Sequence, residues 1–319
     1  MKFIQQAYKG NNEWWTYFIT IFLLFIGWQF LGVLPLIVTA FYYAGDLETF
    51  TSAANDNFTS LGIDSNLYLF LMILTFLGGL IALLLGVKFI HKRNVISVIT
   101  SRNKIDWSRF FYAFSIWAII GVIIIAIGYF TEPENYVWNF KPVQFTILVL
   151  VSFLFLPIQT TMEEVLFRGY LMQGFGTWFK KSFVALILTS VIFGLLHGLN
   201  PEVEKLGWIS MVYYIGTGLV LGIFTLMDEG TELAFGFHAA NNIIAAVLVT
   251  ANWTVFQTDA LLIDTSEPSI GWEMFVPVLV LYPLVLFIFS KKYGWKDWKG
   301  KLFGNIMKPA EFNENEFIA

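Results

Sequence analysis

The chain has 319 residues, of which 57% are hydrophobic, 18% aromatic and only 13% charged, with a net charge of −4. Soluble domains carry about 25% charged residues, so this composition excludes an ordinary soluble globule, and the small, dispersed charge excludes a nucleic-acid partner. The absence of cysteine removes disulfides, iron–sulfur clusters, thiolate zinc sites and a cysteine nucleophile.

Eight apolar runs predict an all-α, polytopic transmembrane helical bundle, since about 20 apolar residues cross a bilayer as a helix. They lie near Trp14–Tyr43, Leu67–Ile90, Phe110–Phe130, Phe145–Phe175, Ser182–His197, Trp208–Met227, Leu233–Thr250 and Met274–Ser290. The first is too long for the apolar core of a signal peptide and lacks a small-residue cleavage site, so it reads as a retained anchor. It and the fourth exceed the length needed to span, which predicts tilting, bending or protrusion. Pro35 predicts a kink in the first. Gly78–Gly79 and the Gly218/Gly222 pair predict close helix packing. Trp and Tyr at the span ends (Trp14, Trp15, Tyr42, Tyr43, Trp138, Trp208, Trp295, Trp298) read as interfacial anchors.

Loop charge gives an orientation. Lys88, Lys92, Arg93, Arg102, Lys104 and Arg109 cluster between the second and third runs, Lys180 and Lys181 follow the fourth, and five lysines from Lys291 to Lys301 follow the eighth. The alternate loops are acidic, so both termini are expected on the cytoplasmic side of a multi-pass protein of the cell (plasma) membrane. One loop violates the pattern: Asp228, Glu229 and Glu232 fall on the expected cytoplasmic side. The whole chain, 1–319, reads as one integral membrane domain. Residues 1–142 hold the first three spans, 143–250 a chemically distinctive core, and 251–319 the last span and a tail, of which Pro309–Ala319 is expected to be disordered.

That core centres on Glu163-Glu164-Val165-Leu166-Phe167-Arg168, set in an apolar segment. A charge at the bilayer centre costs roughly 2.5–3.5 kcal/mol on insertion scales, so such residues are usually paired and functional. Glu164 and Arg168 are four apart with the acid first, the favourable order for a helical ion pair. Glu163 points about 100° away and is left for chemistry. The chain has three histidines. His91 sits in the basic loop His91-Lys92-Arg93 and reads as a solvated interfacial residue. His197 shares a helical face with Phe193, and His238 shares one with Asn242. Taken singly, His197 and His238 read as structural polar groups. Glu163 and His197 sit 17 residues either side of the turn near Lys180, so antiparallel helices bring them to similar depth. A carboxylate and an imidazole at one level can hold a water for hydrolysis, with further donors stabilising an oxyanion.

Glu-Glu-x-x-x-Arg at 163–168, Phe-x-x-x-His at 193–197 and His-x-x-x-Asn at 238–242 resemble the three motifs of the CPBP (Abi) family of intramembrane proteases, which includes the type II CAAX prenyl endopeptidases. The resemblance spans about Phe145 to Thr250 and implies an intramembrane endopeptidase. It makes Glu163 and His197 the water-activating pair, His238 and Asn242 the oxyanion donors, and Glu164, Arg168 and Phe193 their support. The implied partners are membrane lipid and a hydrophobic or lipidated, by resemblance prenylated, peptide or protein substrate. No cofactor is the favoured expectation. Zinc on Glu163, His197 and His238 is the alternative, because two imidazoles and a carboxylate form a legitimate catalytic set. His-Glu-x-x-His is absent, however, and Asn242 suits a hydrogen-bond donor better than a zinc ligand. The rival functions are a proton-coupled transporter, which intramembrane Glu and His can also build, and a non-catalytic scaffold or immunity-type protein held together by the same polar groups.

Overall fold

The computed structural model describes residues 2–309; the tail expected to be disordered lies, apart from Pro309, outside the described residues. The chain is an all-α bundle. Among the described residues six helices are long and apolar enough to cross a membrane: α1 (Trp14–Ala44), α2 (Ser65–Ile90), α3 (Trp107–Thr131), α4 (Pro142–Phe179), α5 (Ser182–Leu199) and α6 (Trp208–Asp228). The two further expected spans are shorter as helices. The apolar helix α7 covers Glu232–Leu248, because Val249 turns extended, at φ −140° and ψ 129°, and enters a strand. The last expected span begins with a π-helical turn, Pro277–Leu281, and continues as α8 (Tyr282–Tyr293); Trp272–Phe275 forms a separate 3-10 turn.

Local chemistry starts several of these helices. Asp64 caps α2 by accepting from the backbone N–H groups of Asn66 and Leu67, and Asp106 caps α3 through Ser108; each satisfies donors that a helix N-terminus leaves orphaned. Pro142 opens α4 in the first turn, where its missing N–H costs nothing. Helix α1 is broken where expected. A π-helical turn at Gly27–Leu31 precedes the segment Leu34–Ala44, which carries Pro35 in its first turn.

Small residues set the helix spacing. A Cβ on Gly27 would strike the Gly78 carbonyl, and one on Gly79 would meet Trp28 and Met162, so α1, α2 and α4 meet at van der Waals distance beside Glu163. Gly218 abuts Ser190 and Gly222 abuts Leu186, which locks α6 onto α5. Gly236 of α7 lies against the Phe110 carbonyl of α3. By contrast, Phe18, Phe22, Ile119, Ile123, Ile127, Leu150 and Leu154 point outward, as befits side chains whose solvent is hydrocarbon.

The two ends of the bundle are closed differently. At one end a three-stranded sheet, ordered β1-β3-β2, joins Tyr136–Trp138, Leu262–Asp264 and Val249–Thr250. β1 and β3 are antiparallel, and β2 and β3 parallel. There Asp259 accepts from Ser65 at 2.7 Å and pairs with Lys141 at 3.1 Å.

At the other end the anomalous acidic turn finds its reason. Arg102 reaches Asp228 at 2.9 Å and Glu232 at 3.2 Å, and Arg109 Nε reaches Asp228 at 2.8 Å. Lys301 pairs with Glu229 at 3.2 Å, and the Phe3 N–H donates to the same carboxylate at 2.7 Å. The acids are counter-charges to the basic loop, so the turn lies on the basic side despite its own sign. The segments at both chain ends, Lys2–Gln5 and Trp298–Phe303, dock there too.

His91 departs from expectation. It is fully buried, with Nε2 2.7 Å from the Tyr170 hydroxyl and Nδ1 2.7 Å from the Asn11 carbonyl. The neighbouring positive residues suggested solvent, but the N-terminal segment folds over the ring.

Candidate active site

Helix α4 carries the two acids at the point where its α-helical part, Pro142–Glu164, gives way to a π-helical stretch, Val165–Leu171. Wide turns of this kind inside helices are rare and concentrate at functional sites. Pro157, about two turns upstream, removes a backbone hydrogen bond from the same helix. Downstream, Gly169 lies against the Val98 carbonyl, so the loop between α2 and α3 braces the far side of the π stretch. Met162, Val165, Leu166, Phe167 and Phe193 fill the surrounding core.

Glu164 and Arg168 are both fully buried and joined at 3.0 Å, as their spacing predicts. The guanidinium also donates to the Gly218 carbonyl at 3.3 Å and lies 4.2 Å from the ring centroid of Phe193. A buried ion pair must offset its desolvation with additional hydrogen bonds, and a third helix supplies one here. Glu164 Oε1 takes a second donor: His238 Nδ1, at 2.7 Å. With Nδ1 held by a carboxylate, Nε2 is the ring nitrogen left to face the site.

That nitrogen faces the neighbouring acid. His238 Nε2 lies 3.9 Å from Glu163 Oε2. The other oxygen of Glu163 accepts from Gln159 Nε2 at 3.3 Å, whereas Oε2 is buried without a hydrogen-bond partner. Consecutive carboxylates, splayed by the helical rotation, thus straddle one imidazole. Glu163 is 9% exposed, His238 6% and Asn242 8%, so all three are buried in low-dielectric surroundings where α4 packs against α7.

His197 enters from the end of α5, whose α-helical part stops at Leu196. Its Nδ1 is 2.8 Å from the Phe193 carbonyl, leaving Nε2 unclaimed. The ring stacks on Tyr214 of α6 at 4.6 Å, and Phe193 lies 4.5 Å from His197 and 6.1 Å from His238. Phe193 therefore lies beside both histidines. Asn242 lies one turn beyond His238 on α7, its Oδ1 accepting from Asn241 at 3.3 Å. The structure brings Glu163, Glu164, Arg168 and His238 into one connected set. His197 makes no direct hydrogen bond to Glu163; its Nδ1 meets the Phe193 carbonyl instead.

No group of three His, Cys, Asp or Glu side chains among the described residues is placed to hold a metal ion. His197 Nδ1 is held by the Phe193 carbonyl, and Glu163, His197 and His238 do not form such a group.

Three contributors escaped the sequence motifs. Gln159 sits four residues before Glu163, and the (i, i+4) rule was the available signal. Tyr214 and the Gly218 carbonyl come from α6, and no local pattern marks them.

The comparisons with known proteins bear on the same core. Residues 142–244 match the family model of Rce1-like type II CAAX prenyl endopeptidases. The uncharacterized protein YyaK of Bacillus subtilis (strain 168) is 29% identical over 278 residues, covering 85% of this chain and 90% of that protein. No solved structure matches the chain. The matched segment begins with α4 and ends just beyond Asn242, so it contains every residue of the connected set. Over residues 142–244 the chain is thus similar to the Rce1-like type II CAAX prenyl endopeptidases, and its six long apolar helices make it a multi-pass integral membrane protein.

Proposed function

We propose that this protein is a glutamate-dependent intramembrane endopeptidase in which Glu163 is the general base. The observation that carries the reading is the buried, unpartnered Oε2 of Glu163, 3.9 Å from His238 Nε2. A buried carboxylate oxygen left unpaired is costly, and a water held there would satisfy it. Glu163 takes a proton from that water as its oxygen attacks the scissile carbonyl. His197, with Nε2 unclaimed, orients the water from the opposite side. Asn242 Nδ2 and, where it carries a proton, His238 Nε2 donate to the oxygen on which negative charge develops, where losing one such donor typically costs roughly 2.7–4 kcal/mol. The proton on Glu163 then passes to the leaving amine, which closes the cycle without a covalent intermediate.

Glu164 and Arg168 hold His238 rather than touch substrate. Glu164 fixes the orientation of the ring through Nδ1, and Arg168 anchors Glu164 through a charge-assisted bond. The substrate class that suits a polar pocket sunk among apolar helices is a peptide bond delivered close to the membrane, in a hydrophobic or lipidated chain. A prenylated C-terminus is the specific case suggested by the family. The membrane in question is the plasma membrane, with the basic end cytoplasmic.

The test is cleavage of co-expressed membrane or lipidated substrates by wild type, Glu163→Ala and His197→Ala, each shown to insert and fold. Loss of cleavage in well-folded variants supports the mechanism. Wild-type cleavage by Glu163→Ala would exclude Glu163 as the base. Changed ion or solute flux without proteolysis would identify a carrier, and variants that misfold without any wild-type cleavage would identify a scaffold.

A further inference from the structure

Remote from the acids, a hollow of about 490 Å3 opens where α4 turns into α5. Lys180 and Lys308 line it together with Tyr8, Asn12, Thr177 and Trp178, and no acidic side chain contributes to its wall. The lysine ion pairs among the described residues belong to Lys141 and Lys301, so neither lysine of the hollow meets a counter-charge among those residues. The hollow lies on the basic side of the bundle, beside the exposed rings of Trp178 and Phe179, which is the height of lipid headgroups.

A second cation stands behind the wall. Arg93 is 3% exposed, yet its one side-chain hydrogen bond is Nη1 to the neutral Gln173 amide oxygen at 3.0 Å. Its Nε and Nη2 have no partner. Gln173 precedes Thr177 by one helical turn, and the Thr177 hydroxyl donates to the Gln173 carbonyl at 3.1 Å. Asn12 in turn donates to Thr177 at 3.1 Å. The unpaired guanidinium is therefore one hydrogen-bonded layer away from the hollow. A buried cation without a counter-charge is costly. Its field is weakly screened by protein, so it adds to the potential of the two lysines.

We propose that this hollow binds a phosphate-bearing anion, the headgroup of an anionic phospholipid being the source that its height in the membrane matches. The two ammonium groups pair with the phosphate oxygens, Arg93 contributes long-range attraction through the wall, and Trp178 with Met307 flanks the start of the acyl chains. The site is separate from the catalytic pocket, and its occupancy requires no proteolysis.

The test uses the purified full chain in neutral detergent. Retention of phosphatidylglycerol is compared with that of phosphatidylcholine by native mass spectrometry, and thermal midpoints are recorded with each lipid and with inorganic phosphate alone. One lysine near an anionic surface is worth about fivefold in affinity. Phosphatidylglycerol should therefore be preferred by about twentyfold, and the Lys180→Gln/Lys308→Gln pair should lose most of that preference while cleaving substrate as wild type does. If phosphate alone raises the midpoint of wild type but not of the double variant, and the lipids do not differ, the phosphate is a free one. Equal retention of both lipids with no phosphate effect would overturn the proposal. So would an undiminished preference in the double variant, or in Lys308→Gln alone should the pair not fold.

Discussion

Glu164 Oε1 is shared: His238 Nδ1 lies 2.7 Å from it and Arg168 Nη1 3.0 Å. One oxygen therefore serves both as counter-charge for a buried guanidinium and as the brace of the imidazole. Removing one partner of a buried ion pair costs about 3–5 kcal/mol, whereas replacing both with apolar groups of similar size is often neutral. Glu164→Gln should accordingly lose about that much stability in thermal unfolding. The Glu164→Gln/Arg168→Met double variant should recover much of it. Activity should stay depressed in both, because Nδ1 of His238 no longer meets a carboxylate. Recovery of full cleavage in the double variant would refute the bracing role.

Tyr214 stacks on His197 with ring planes 24° apart, and its hydroxyl accepts from Asn200 at 3.2 Å. If that stack aims the unclaimed Nε2, Tyr214→Ala should lower kcat by about one to two orders of magnitude with little change in KM. Tyr214→Phe should retain most activity, since the stacking surface survives. Cleavage assays at saturating and limiting substrate separate the two parameters. A KM effect alone would make Tyr214 a substrate contact instead.

Because the chain has no cysteine, its topology is open to direct labelling. Cysteines introduced at Lys104, Lys180 and Lys299 should all react from one side of the membrane, and those at Asp56 and Ser266 from the other. With the basic side cytoplasmic, an impermeant thiol reagent applied to intact cells should label only positions 56 and 266. The opposite pattern would invert the orientation while leaving the clasp of Arg102, Asp228 and Glu232 intact.

His91 carries a pH dependence. Burial, with help from the neighbouring Arg93 charge, pulls its pKa from 6.5 down to about 4. In the unfolded chain the ring takes its proton as pH falls below 6.5, while in the fold it stays neutral until about 4. Its contribution is thus fully present above the unfolded value, is lost as pH falls through that window, and levels off below it. The loss amounts to about 3 kcal/mol at most. Thermal midpoints of wild type between pH 7.5 and 4.5 should fall more steeply than those of His91→Gln. Parallel curves would place the sensitivity elsewhere.

Much of this architecture was legible from residue order. The apolar runs located α1 to α6 because hydrocarbon demands length and apolarity from one continuous segment, a local property. The Glu164–Arg168 pair was readable for the same reason, being a contact within one helix. The His238–Glu164 bond joins residues 74 apart, and only the packing of α7 against α4 could reveal it. His91 was misread because charge on neighbouring residues indicates solvent only when nothing folds over the ring. The acidic turn at Asp228 looked like a violation because loop charge was counted loop by loop, while the counter-ions come from a different loop.

The segment Lys2–Lys9 has its anchors far downstream. Phe3 bonds to residues 170 and 226 positions later, and Gln5 to one 302 positions later. During synthesis these early residues have no docking partner until α4, then α6, and finally the stretch after α8 leave the ribosome. Closure at that end is therefore a late event in assembly, and a bulky tag fused just ahead of Lys2 would obstruct the final step of maturation rather than the insertion of any helix.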